Sequence, residues 1–133
     1  EPCFHEQPPV VSPGAWLEVK AGDCDKTLLS TGAGLQIAME RAKKKNYQSF
    51  KVHSMPLWSM ASKVDQISAL EKFSEVVTIE DHLLDGGFGS WLMEAKTLNP
   101  LLTSQINPIA LSSGVCGTVG SQSVLNSVGG LCA

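Results

Sequence analysis

Glu75-Val76-Val77-Thr78-Ile79-Glu80 runs directly into Asp81-His82-Leu83-Leu84-Asp85-Gly86-Gly87-Phe88-Gly89-Ser90, and this stretch decides the fold. Its first six residues are rich in β-branched side chains, which suit a pleated, buried surface. They read as a strand over 75–80. Gly86-Gly87-Phe88-Gly89 reads as a turn that opens a helix. In that helix Phe88, Trp91, Leu92 and Ala95 fall at i, i+3, i+4 and i+7, the apolar stripe of a helix lying on a sheet. Strand, glycine turn and amphipathic helix make one βα unit.

The same alternation runs upstream. Ala15 to Lys20 partly alternates apolar and polar residues and ends at the Gly22-Asp23 turn, a strand of modest burial. Thr27-Leu28-Leu29 leads through Ser30-Thr31 to Gly32 and Gly34, the glycines that a tight βα turn needs. A helix is predicted over 33–46, with Leu35, Ala38, Met39 and Ala42 on one face. Phe50 to Met55 reads as a strand ending before Pro56. Residues 63–73 read as a short helix capped by Ser62, with Val64, Ile67, Leu70 and Phe73 inward.

Downstream, Ile106–Leu111 is a strand interrupted by Pro108, which places it at an edge or at a bulge. Ser121–Val128 is a last helix, ended by Gly129-Gly130. Strands alternating with amphipathic helices predict an α/β fold: a three-layer α/β/α open sheet, mostly parallel, with the first strand an antiparallel edge. Residues 1–13, with Gln7-Pro8-Pro9, read as a linker and residues 14–133 as the domain.

Composition narrows the function classes. The chain has 133 residues, 43% hydrophobic and 17% charged, enough for one domain with a core. A net charge of −3 leaves no electrostatic footprint for nucleic acid. The basic run Arg41 to Lys45 falls at a helix end, where cations are favoured. No apolar stretch approaches the roughly 20 residues of a membrane span. Cys3, Cys24, Cys116 and Cys132 form no C-x-x-C pair and no zinc spacing. With no visible secretory signal, free thiols and a cytoplasmic location are expected.

The turn after residue 80 holds the candidate site: Glu80, Asp81, His82, Gly86, Gly87 and Gly89. Open α/β sheets bind ligands at the carboxyl ends of their strands. A helix N-terminus offers an anion free N–H groups and a positive dipole. One reading is a phosphate or dinucleotide cradle, although Leu92 stands where the third glycine belongs and there is no Walker lysine. A second makes Asp81 and His82 an acid–base pair, which a regular strand would separate onto opposite faces. In the third, the acids cap the helix and the glycines permit close packing. His53 reads as a packed or hydrogen-bonded histidine. No Gly-x-Ser-x-Gly elbow supports a hydrolase. Met55, Trp58 and Met60 form an apolar cluster around Pro56 that suits either core or interface.

Taken together these motifs resemble the C-terminal domain of the transketolase superfamily, which includes transketolases, deoxyxylulose-phosphate synthases and beta subunits of 2-oxo acid dehydrogenases. The resemblance rests on Val76-Val77-Thr78-Ile79-Glu80-Asp81-His82 followed by Gly86-Gly87-Phe88-Gly89-Ser90 and Glu94. It also rests on Ala21-Gly22-Asp23 with Leu28-Leu29-Ser30-Thr31-Gly32, on Ala38 and Ala42, and on Gly120-Ser121 through Leu125 to Gly130-Leu131. Order and spacing agree over roughly 14–131. Met55-Pro56-Leu57-Trp58-Ser59 departs from the family's Lys/Arg-Pro-Leu-Asp, with Asp65 a shifted counterpart of the aspartate.

The resemblance implies a parent enzyme that moves two-carbon ketol units between sugar phosphates. Its thiamine diphosphate and divalent metal, such as Mg, bind an N-terminal domain. The activating glutamate belongs to a middle, pyrimidine-binding domain. This domain is then expected to bind no cofactor or metal, to hold no catalytic residue, and to be inactive alone. Its implied partners are those two domains and further copies in a dimer or larger homo-oligomer. Glu80, Asp81, His82, Gly86, Gly87 and Gly89 become channel-rim or interface candidates. The alternatives are a 2-oxo acid dehydrogenase beta subunit and a stand-alone anion- or nucleotide-binding module.

Overall fold

The computed structural model describes residues 3–131; Cys132, one of the expected free thiols, lies outside them. Ten elements follow in order: β1 (Leu17–Lys20), β2 (Lys26–Ser30), α1 (Gly34–Arg41), β3 (Lys51–Ser54), α2 (Gln66–Leu70), β4 (Glu75–Leu83), α3 (Phe88–Thr97), β5 (Gln105–Leu111), a 3-10 turn (Ser113–Val115) and α4 (Gln122–Val128). The strands form one sheet in the order β1-β3-β2-β4-β5. β3, β2, β4 and β5 run parallel. β1 pairs antiparallel with β3 at one edge. The expected α/β architecture, including the antiparallel edge, is what forms.

Alternation along the strands splits the core in two. Leu29, Val76, Met55 and Leu70 gather with Phe88, Trp91 and Leu92 beneath α2 and α3. Leu28, Val52, Val77 and Ile79 gather with Ala38 and Ala42 beneath α1. Neighbours such as Leu28/Leu29 and Val76/Val77 therefore serve opposite layers, as the period of two requires. Because both faces are covered, β2 and β3 are buried along all but their first residue.

Pro108 sits on the edge strand, as its missing donor demands. Gln105 donates to Ser74 O at 2.9 Å, so alternate residues of β5 face β4 and Pro108 turns its ring nitrogen outward. That position also blunts the edge against pairing with another chain.

Two helix readings are corrected. The helix predicted over 33–46 stops at Arg41, and residues 42–49 form turns. Three successive lysines, all exposed, bury nothing that would extend the helix. The helix read over 63–73 is regular only over Gln66–Leu70, and Val64 is 59% exposed rather than inward. Ser62 does not cap it; the Ser62 hydroxyl donates to Ser59 O at 3.1 Å in the preceding loop. Of the cluster around Pro56, Met55 is fully buried whereas Met60 is 86% exposed.

Candidate functional site at the carboxyl end of the sheet

The chain leaves β2 towards β3 through α1 on one face, and leaves β4 towards β5 through α3 on the other. Strand order therefore reverses between β2 and β4, the point at which open α/β sheets place a ligand crevice. Gly34, opening α1, lies so close to β4 that a Cβ there would stand 2.7 Å from the Ile79 carbonyl oxygen. Glu80 is the next residue of β4.

Glu80 is fully buried. Its Oε2 accepts from the Phe88 backbone N–H at 2.6 Å and its Oε1 from the Gly89 N–H at 2.9 Å. The carboxylate thus caps α3 from an adjacent strand, and its charge lies on the positive end of the helix dipole. The glycines make this approach possible. A side chain at Gly87 would run into Glu80 Oε2 and the Leu83 carbonyl, and one at Gly89 would meet Thr78 Oγ1 and Pro108. Gly86 takes a left-handed turn conformation, φ 70°.

The strand does not end at Glu80 but continues to Leu83 with a bulge. Ile79 pairs with Ile109 and Leu83 with Leu111, so four steps on β4 answer two on β5. Bulges re-aim side chains. Asp81 and His82, which a regular strand would separate, are brought to 3.7 Å between Oδ1 and Nδ1. His82 Nδ1 also stands 4.0 Å from Glu80 Oε2. Both distances exceed a hydrogen bond. The His82 side chain is 64% exposed and that of Asp81 16%.

Glu80, Gly87 and Gly89 are therefore one packed unit. Asp81, His82 and Gly86 form its solvent-facing rim, beside a shallow groove of about 200 Å³ lined by Leu83, Leu84, Asp85, Leu111 and Ser113. Thr78 belongs to this unit and was not singled out in the sequence. It is fully buried, and its Oγ1 has no hydrogen-bond partner. Its place two residues before Glu80, on the same face of the strand, is the signal that would have found it. The anion-cradle reading meets a direct obstacle: Glu80 already takes the two N–H groups that a phosphate would need. No group of three potential metal ligands occurs among the described residues.

His53 is distant from this turn in the chain and lies under the α2 face. Burial lowers its pKa below the usual histidine value, with Glu18 raising it and Lys51 lowering it. Cys3, Cys24 and Cys116 are free thiols. Among the described residues no helix is long and apolar enough to cross a membrane.

No protein-family model matches the sequence, and no curated protein sequence matches it. Among solved structures, a chain described as a split-gene transketolase, in an inactive beta4 tetramer, superposes with a TM-score of 0.76 at 21% sequence identity. The match covers 98% of this chain and 42% of that chain, so this chain spans less than half of that one. The fold is transketolase-like.

Proposed function

We propose that this chain is the C-terminal domain of a transketolase-like, thiamine-diphosphate-dependent enzyme that transfers two-carbon ketol units between sugar phosphates. The supporting observation is the fold match over 98% of the chain to a split-gene transketolase, joined to the motif order around Glu80–Ser90. In this reading the domain completes the subunit, supports oligomer assembly and lends the Asp81–His82 rim to the substrate channel. The chemistry of the cofactor is held by the other domains, which position and polarise it.

The test mixes the purified chain with a transketolase subunit truncated before its own C-terminal domain, then measures thiamine-diphosphate-dependent ketol transfer. The chain alone is expected to be silent, and the mixture to associate and regain turnover. Turnover by the chain alone, or failure of the two pieces to associate, counts against the proposal. A stand-alone nucleotide module is separated by calorimetry: micromolar nucleotide binding by the isolated chain favours the module.

A further inference from the structure

The segment leading into β1 is fastened at one place. Gly14 N–H donates to Leu57 O at 2.7 Å. The Trp16 indole N–H donates to Gln66 Oε1 at 2.7 Å. Gln66 Nε2 in turn donates to Gly14 O at 3.1 Å and to Ser62 O at 3.0 Å. Gln66 is fully buried, and these bonds satisfy an amide that would otherwise be costly to desolvate. Before this clamp, residues 3–13 have no regular secondary structure. Residues Cys3 to Pro9 line a groove of about 400 Å³ with Leu35, in the first turn of α1.

Beneath the clamp lies a titratable group. The Trp16 ring stacks on Phe73 at 5.5 Å and meets the His53 ring edge-on at 5.9 Å. Phe73 packs against the same imidazole at 5.5 Å. His53 Nδ1 shares a 2.7 Å hydrogen bond with Thr27 Oγ1, and His53 is only 8% exposed. A cationic imidazole in that enclosure needs water. Thr27 and Phe73 belong to the buried core, whereas Trp16 is half-buried and lies on the terminal side of an edge strand. Trp16 is thus the least buried wall, and lifting it breaks its Gln66 bond and its stack on Phe73.

We infer that Gly14–Trp16 is a proton-operated latch: protonation of His53 lifts Trp16 and frees the segment that leads into β1. The charged groups facing His53 are Glu18 of β1, opposite it in register, and Lys51 of β3. Glu18 favours the proton and Lys51 opposes it. The contacts from β2 and from the loop after α2 are the neutral Thr27 and Phe73. Burial has the largest effect and holds the site neutral at ordinary pH.

Hydrogen exchange of the intact chain, corrected for intrinsic pH dependence, tests this between about pH 7.5 and about pH 5.5. Protection of residues 14–18 is expected to fall by up to roughly tenfold on acidification, the limit for one proton over this window, while 76–79 in β4 stays protected. The His53→Gln variant should show no such fall. Unchanged protection at 14–18, an equal fall in His53→Gln, or simultaneous loss in β4 would each overturn the latch. If His53→Gln does not fold, the wild-type proton spectrum decides. The Trp16 indole N–H signal must titrate with the His53 ring, and an indole signal indifferent to that titration overturns the proposal.

Discussion

Glu80 Oε2 accepts a 2.6 Å hydrogen bond from the Phe88 backbone N–H, across the turn that joins β4 to α3. With the Gly89 N–H on Oε1, one carboxylate satisfies two of the four donors that a helix N-terminus leaves open. It also joins the strand to the helix whose Phe88, Trp91 and Leu92 fill the larger core. The feature that looks most like a ligand site is thereby a structural joint.

Removing the carboxylate leaves buried donors without a partner. Glu80→Ala is expected to destabilise the domain by about 3 kcal/mol, since bonds to charged groups contribute about 1.5–3 kcal/mol each. Glu80→Gln keeps one acceptor and should lose about half as much. Urea denaturation measures both; equal stability of Glu80→Ala and wild type would refute the joint.

Gly87 and Gly89 differ from Gly114 by what surrounds them. Gly89→Ala pushes a methyl group towards Thr78 Oγ1 and Pro108 and should cost about 1–3 kcal/mol. Gly114→Ala has only Ser112 Oγ at 3.6 Å in its way and should lie within about 0.5 kcal/mol of wild type. Thermal melts of the two variants make the comparison.

Burial lowers the His53 pKa, so the unfolded chain holds that proton more tightly than the folded one. The neutral state's contribution is complete above the unfolded pKa, near 6.5. It is lost as pH falls from there through the folded pKa. Denaturation midpoints of wild type are expected to drop over that window more steeply than those of His53→Gln.

Val64 and Leu70 were both read as inward, yet only Leu70 is buried. Leu70→Ala should cost about 2–5 kcal/mol, and Val64→Ser less than about 0.5 kcal/mol. Chemical denaturation of the pair distinguishes core from surface along the segment that leads into and forms this short helix.

Calorimetry with nucleotides and inorganic phosphate is expected to show no micromolar binding to the wild-type chain, because Glu80 occupies the donors at the α3 N-terminus. A clear nucleotide isotherm would favour the anion-binding module over the transketolase-like reading.

The parallel strands and α3 were legible because their signals are local. β-branched runs at Glu75–Glu80, a glycine turn, and the Phe88-Trp91-Leu92-Ala95 stripe each fit within one element, and Pro108 restricted its strand to an edge or a bulge. Helix ends at 42–46 and 63–65 were not legible. The apolar spacing continues to Val64, and lysines at 43–45 suit a helix's last turn, but no neighbouring layer covers Lys43 to Lys45 or Val64. The two-residue bulge was equally hidden, since its register depends on how β5 meets β4.

By itself, then, the sequence determined the alternation of strand and helix, the α/β class and the turn at Glu80–Ser90, all consequences of periodicity and of glycine's freedom within a few residues. The tertiary structure decided the strand order and brought Asp81 within 3.7 Å of His82. It also decided among the readings of Glu80 in favour of a buried helix cap. Those outcomes depend on which layer comes to rest against a residue, and burial of a charge is permitted only once that layer supplies its partners.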